Sequence, residues 1–297
     1  MKSYLLYLSC FFSTFYYAQK SPESTIDSEF ITKEITFKSE GIDLSGTLYK
    51  PTHPDAAIVL VHGSGQEKRM EKMALLLAQS NIAVLTYDKR GVGKSGGVYM
   101  GPEVGTNNLD SSNLNLLALD ASAAITELMK SISVKNKGVA LMGFSQAGWI
   151  IPLAAEKNKN VKLMIIFSGP LVNTLEQLRF QFYTEGKADF WDTHTEAEAR
   201  EHLRNDPDKY QFAPTDPIET LAKLSTKGLW LFGGKDVQIP VNLSIEHLNE
   251  LKSKRKSYEY KLFPELGHNT AFAKSQEPMS FAVDWIKKQS DFKKKNQ

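Results

Sequence analysis

The chain has 297 residues, of which 24% are charged and 41% are hydrophobic. This balance excludes an intrinsically disordered chain and a protein built mainly of membrane-spanning helices, and it is typical of a globular domain with a sizeable core. The formal net charge of +2 at pH 7 is too small to predict a nucleic-acid partner, and the basic run at 293–295 is expected to be a solvated tail.

The first 18 residues have the pattern of a secretory signal peptide. Lys2 supplies a positive start, an uncharged apolar and aromatic run follows, and Ala18 offers a cleavage point. This run is shorter than the about 20 apolar residues of a transmembrane helix, so we expect an exported protein, periplasmic or secreted, without stable membrane insertion after cleavage. The single cysteine, Cys10, lies in this segment, and a lipid anchor on Cys10 or an uncleaved anchor are the alternatives.

Residues 19–33 are polar and are predicted to form a flexible lead-in. The alternating segments 34–38 and 42–49, joined by a turn, predict a β-hairpin. Apolar runs then predict strands that are buried on both faces of a parallel sheet, at 56–61, 82–87, 139–142 and 161–167, and the pattern resumes with strands at 228–232 and 258–263. Helical spacing predicts helices between them, at 70–80, 113–130, 149–155, 241–253 and 278–288.

Strands that alternate with helices predict an α/β domain over 34–290, with a mostly parallel central sheet flanked by helices and a tail at 291–297. The alternation breaks at about 173–224, which contains no strand-like apolar run and is predicted to be a helical lid insertion over one end of the sheet. Its aromatic residues either line an apolar pocket or form the core of the insertion itself, and they are Phe180, Phe182, Tyr183, Phe190, Trp191, Tyr210 and Phe212.

The run from Gly143 to Gly148, Gly-Phe-Ser-Gln-Ala-Gly, lies between an apolar strand and a helix. A serine at such a sharp turn is typical of a nucleophile elbow, in which the positions two before and two after the serine must be small. Gly143 and Ala147 hold those positions on either side of Ser145. The alternative for the hexapeptide alone is an ordinary strand-to-helix turn with an incidental serine.

Two later strand ends carry Asp236 and His268, so the chain order is serine, aspartate, histidine. Together with the elbow and the run Tyr-Asp-Lys-Arg-Gly-Val-Gly-Lys-Ser at 87–95, this order resembles the serine-aminopeptidase-like and acyl-esterase branch of the α/β-hydrolase family. The resemblance covers about 34–290. It departs from the family pattern at Ala147, where glycine is usual, and we expect the extra methyl group to be tolerated.

The resemblance implies that Ser145 is the nucleophile, His268 its base, and Asp236 the acid that orients His268. The backbone N–H groups of Gln146 and Ser64 are expected to form the oxyanion hole, because an oxyanion needs donors beside the nucleophile. Neither a metal nor another cofactor is expected.

These residues predict a serine hydrolase that cleaves carboxylic esters through an acyl-enzyme, with a small acyl compound or a short peptide as substrate. A serine aminopeptidase is the first alternative, and it needs acidic side chains such as Glu185, Asp189 and Asp192 to hold a free amine. An acyltransferase on the same three residues and a non-catalytic binding module are the others.

Overall fold

The computed structural model describes residues 30–101, 108–132, 139–205 and 212–291. The predicted signal peptide with Cys10, most of the lead-in, Tyr210 and the tail beyond 291 lie outside these residues. Within the described ranges, none of the helices is long and apolar enough to cross a membrane.

One sheet of eight strands forms the centre of the molecule, in the order β1-β2-β4-β3-β5-β6-β7-β8. Its strands are β1 (Phe30–Ser39), β2 (Ile42–Pro51), β3 (Ala56–Val61), β4 (Ile82–Tyr87), β5 (Val139–Phe144), β6 (Val161–Phe167), β7 (Lys227–Gly233) and β8 (Tyr258–Phe263). The hairpin β1–β2 is antiparallel and β2 pairs antiparallel with β4, whereas the remaining pairs are parallel. The predicted mostly parallel sheet with an antiparallel edge is therefore present.

Helices cover both faces of the sheet. They are α1 (Glu71–Gln79), α2 (Ser111–Ser131), α3 (Ala147–Lys157), α4 (Thr174–Thr184), α5 (Phe190–Thr193), α6 (Glu196–Asn205), α7 (Pro217–Leu221), α8 (Val241–Ser253) and α9 (Glu277–Asp291). Along β3, Ile58 and Leu60 pack with α1 and α9, whereas Val59 and Val61 pack with α2, α3 and α8. Because β3 is covered on both faces, its apolar run has no polar alternation.

The first strand begins at Phe30, four residues before the predicted hairpin. Phe30 pairs with Pro51, but the extension lies at the sheet edge and Ile31 is 63% exposed. Residues 31–33 are exposed and have no buried alternate positions, so the sequence pattern did not separate residues 30–33 from the lead-in. The observed bounds of the interior strand β6 and of the opposite edge strand β8 agree with the prediction.

The described part of 173–224 contains α4 to α7 and no strand. Phe180 and Phe190 pack with Ala199 and Leu203 in a small core of their own, against which Tyr183 and Trp191 are partly buried. Most aromatic residues of the insertion therefore stabilise the insertion itself, which is the second of the two roles expected for them.

Candidate active site

Ser145 lies at the turn between β5 and α3 with a φ of +53°, in the left-handed region that non-glycine residues rarely adopt. Its N–H donates to the Phe167 carbonyl over 2.9 Å. A Cβ atom at Gly143 would lie 2.5 Å from the Val61 oxygen and 2.6 Å from Cβ of Ala147, so only glycine fits at position 143. The methyl group of Ala147 is itself fully buried in the turn.

The imidazole of His268 is hydrogen-bonded to both Ser145 and Asp236. Its Nε2 lies 3.0 Å from Ser145 Oγ, and its Nδ1 lies 2.8 Å from Asp236 Oδ2. Asp236 is 1% exposed, and its Oδ1 accepts from the N–H groups of Gln238 at 2.7 Å and Ile239 at 3.2 Å. Because the carboxylate accepts from Nδ1, Nε2 is left to accept the serine proton. The structure thus brings the three predicted side chains together.

Ser64 and Gln146, the two predicted sources of oxyanion donors, line the same cavity as Ser145. Within the described part of the chain, the backbone N–H of neither residue donates a hydrogen bond. Gln146 also stands at the N-terminus of α3, where the helix dipole favours negative charge. Both N–H groups are therefore available to a developing oxyanion.

The cavity has a volume of about 470 Å³. Its described lining consists of Ser64, Asn108, Leu109, Ser145, Gln146, Trp149, Pro170, Gln177, Leu178, Gln181, Phe182, Gln238 and Ile239. None of these side chains carries a formal charge, and Phe182 is the one aromatic residue of the insertion among them. The expectation that the aromatic residues of the insertion together line an acyl pocket is therefore wrong.

The acidic residues proposed for binding a free amine do not line this cavity. Glu185 instead pairs with Lys187 at 2.6 Å on the exposed surface. Over the described ranges, no group of three or more His, Cys, Asp or Glu side chains is placed to hold a metal ion.

A family model described as serine aminopeptidase, S33, matches residues 52–206, which is just over half of the chain. The chain belongs to this family. The family resemblance predicted from the elbow and the strand ends is thereby confirmed.

Two curated relatives of this family member are hydrolases by name. Esterase EstD of Thermotoga maritima is 25% identical over 292 residues, covering 90% of this chain and 66% of the relative. Thiohydrolase apmlB of Arthrinium phaeospermum is 30% identical over 138 residues, covering 46% of this chain and 42% of the relative.

Solved structures share the fold of this α/β hydrolase. The Pyrococcus furiosus esterase Pf2001 superimposes with a TM-score of 0.61 at 17% identity, covering 91% of this chain and 92% of that one. The acylaminoacyl peptidase of Pyrococcus horikoshii gives a TM-score of 0.60 at 16% identity, covering 88% of this chain and 41% of that one. The predicted α/β-hydrolase fold is confirmed.

A buried lysine of the hydrolase, absent from the predicted site, joins the turns that carry Ser64 and Gln146. Lys89 is 2% exposed, and its Nζ donates to the carbonyl of Gly63 at 2.7 Å and to Oε1 of Gln146 at 3.2 Å. Gly63 precedes Ser64, so the lysine ties the Ser64 turn to the residue after the nucleophile. The signal available in the sequence was a cation two positions after the buried strand β4.

The neighbours of Lys89 have structural roles. The guanidinium of Arg69 donates to Asp88 at 3.0 Å, and Arg90 forms a buried ion pair with Asp120. His62 donates through Nε2 to the Tyr87 carbonyl at 2.7 Å. Burial, helped by the positive charge of Lys89, lowers the pKa of His62 from 6.5 to about 3, so its imidazole is neutral.

The helical insertion of the hydrolase is hydrogen-bonded to the loop that carries Asp236. Trp191 Nε1 donates to the Asp236 carbonyl at 2.9 Å, and Thr184 Oγ1 donates to the Val237 carbonyl at 2.6 Å. Gln177 Nε2 donates to the Gln238 carbonyl. These contacts join residues that are far apart in the chain, so no local sequence motif predicts them.

Proposed function

We propose that the chain is an exported serine hydrolase that cleaves carboxylic esters through an acyl-enzyme on Ser145. The observation that carries this proposal is the hydrogen-bonded set Ser145, His268 and Asp236. Its serine lines a cavity whose described lining is uncharged. Export rests on the signal-peptide pattern of residues 1–18.

In the first step, Ser145 Oγ attacks the ester carbonyl carbon while His268 Nε2 accepts the hydroxyl proton. Asp236 stabilises the imidazolium that forms, and the N–H groups of Ser64 and Gln146 donate to the oxyanion. The carbonyl then re-forms, the alcohol leaves with the proton from His268, and the acyl group stays on Ser145. Water activated by His268 repeats the sequence and releases the acid.

An ester is a better fit to this site than a peptide with a free N-terminus. A protonated amine needs a carboxylate partner when it is removed from water, and the described lining offers none. The Thermotoga maritima relative is also named an esterase. A purely binding role is disfavoured because the serine, histidine and aspartate are all present and aligned.

Labelling with a fluorophosphonate tests the nucleophile. We expect wild type to be labelled and Ser145→Ala to be unlabelled, with ester hydrolysis falling by about a million-fold to background. Ser253→Ala, which removes an exposed hydroxyl at the end of α8, is the matched control and should behave as wild type. Mass spectrometry of the labelled protein from the exported fraction should show an N-terminus at Gln19.

Equal labelling of wild type and Ser145→Ala would overturn the assignment of the nucleophile. A panel that contains simple acyl esters and aminoacyl amides decides between the ester and peptide functions. Turnover of the amides alone would reject the esterase proposal.

A further inference from the structure

Primary amides dominate the polar part of the cavity. Two of the five amide side chains there are held by the protein itself. Gln146 donates to the Asn108 carbonyl at 2.7 Å and accepts from Lys89, and Gln177 donates to the Gln238 carbonyl. These two side chains therefore fix the surrounding backbone, although Oε1 of Gln177 is buried and has no hydrogen-bond partner among the described residues.

The other three amide side chains belong to Asn108, Gln181 and Gln238, and within the described ranges none of them has a hydrogen-bond partner. They come from different parts of the chain: the segment before α2, helix α4 and the loop after Asp236. Asn108 is only 5% exposed, although its side chain lines the cavity. Buried polar groups are normally hydrogen-bonded, so unpaired amides in the wall of a cavity point to a ligand group that pairs with them.

A primary amide both donates and accepts hydrogen bonds and carries no charge. The remaining wall is apolar, with Leu109, Trp149 and Leu178 among its side chains. A fully apolar acyl chain would leave the amides unpaired, and an ionised acyl group would lose its hydration without gaining a counter-charge from this lining. The wall is complementary to an uncharged group that itself forms hydrogen bonds.

We propose that this cavity selects an uncharged acyl group that carries a hydroxyl or an amide N–H, bound by the side chains of Asn108 and Gln181. The inference rests on the proposed function, because the acyl group stays attached to Ser145 until water releases it. It is therefore the part of the substrate that must fit in the cavity lined by that residue.

Matched pairs of p-nitrophenyl esters test the proposal. The first pair is 3-hydroxybutyryl against 3-methylbutyryl, which exchanges a hydroxyl for a methyl group at equal size. The second is N-acetylglycyl against 4-oxopentanoyl, which exchanges the amide N–H for a methylene. We expect kcat/KM to be about five- to tenfold higher for the hydrogen-bonding member of at least one pair, and the pair that responds identifies hydroxyl or amide as the source.

The variants Asn108→Leu and Gln181→Leu remove the amides at similar size, and each should reduce the ratio within the responding pair toward one. The ratio does not depend on the fraction of active enzyme, so partial loss of folding does not affect it. Gln181 is half-buried on a helix, which keeps the test valid if Asn108→Leu fails to fold. The control Gln79→Leu changes an exposed amide on α1 and should leave the ratio as in wild type.

A ratio of one or below in both pairs overturns the inference and leaves the esterase proposal intact. The inference is also overturned if Asn108→Leu and Gln181→Leu both retain the wild-type ratio of kcat/KM values. Absence of hydrolysis of every ester, together with no labelling of Ser145, overturns the proposed function and the inference with it.

Discussion

At the scale of the residue, the candidate site divides into side chains that the sequence predicts and side chains that it does not. Ser145, Asp236 and His268 each follow a recognisable strand, so their positions at one edge of the sheet follow from topology. Lys89 contacts Gly63 and Gln146, which lie 26 and 57 positions away along the chain. Such a contact depends on how the turns pack, and no local pattern encodes it.

The ammonium group of Lys89 holds both turns that supply the expected oxyanion donors, so its removal should disturb the transition state more than the ground state. We expect Lys89→Met to lower kcat for ester hydrolysis by about ten- to a hundredfold with little change in KM. Removal of a direct oxyanion donor lowers the rate by about a hundred- to thousandfold. The expected decrease for Lys89→Met is smaller because Lys89 acts through the backbone. Steady-state kinetics on one chromogenic ester measures it.

Lys94→Met is the matched control, because Lys94 lies on the same loop with its side chain 75% exposed. Its kcat and KM should stay within about twofold of wild type. An unchanged kcat in Lys89→Met, with the protein folded by circular dichroism, would contradict a positioning role for Lys89.

At the scale of the element, burial decides what the sequence predicts. Strands such as β3 and β4 are covered on both faces, so their continuous buried runs give their bounds directly. The edge strand β1 and the packing of the insertion lack such a signal. The helical character of 173–224 is visible from its composition, whereas the contacts of α4 and α5 with the Asp236 loop are tertiary and appear only in the structure.

Those contacts predict that the insertion contributes to the orientation of Asp236. The double variant Thr184→Val and Trp191→Phe removes two hydrogen bonds to the loop and keeps most of the apolar packing. Because each hydrogen bond contributes about 1 kcal/mol, we expect kcat to fall by about five- to twentyfold. The fall should occur with substrates of any acyl length, since the cavity wall is unchanged.

Tyr183→Phe provides the control from the same helix. Tyr183 packs against Phe190 with ring centroids 5.3 Å apart, and its hydroxyl donates to no described residue. Wild-type kcat in the double variant would mean that the loop is held by its own hydrogen bonds, such as those from Gln238 and Ile239 to Asp236.

At the scale of the whole molecule, the residues after β3, β4, β5, β7 and β8 meet at one end of the sheet. Their convergence follows from the parallel order, which the alternation of strands and helices predicts. The same convergence buries ionisable groups, because the turns pack against one another. His62 is 3% exposed and lies beside Lys89 in this region. The stability of the fold should therefore depend on pH through groups that have no catalytic role.

His62 gives the sign of that dependence. Its pKa is about 3 in the folded protein and 6.5 when unperturbed, so below about pH 6.5 the unfolded chain binds a proton that the folded protein does not. The contribution of neutral His62 to the free energy of unfolding is fully present above pH 6.5. It decreases by about 1.4 kcal/mol per pH unit as the pH falls toward 3. Between pH 7 and pH 5 the loss from this group alone should be about 2 kcal/mol.

Urea unfolding of wild type and His62→Gln at both pH values measures this contribution. Glutamine does not titrate, so the free energy of unfolding of the variant should decrease by about 2 kcal/mol less than that of wild type between pH 7 and pH 5. This difference does not depend on how much the substitution itself destabilises the protein at pH 7. The comparison isolates one group because all other titrating residues are shared. An equal loss in wild type and His62→Gln would mean that His62 gains its proton in the folded protein as readily as in the unfolded chain, in conflict with its burial beside Lys89.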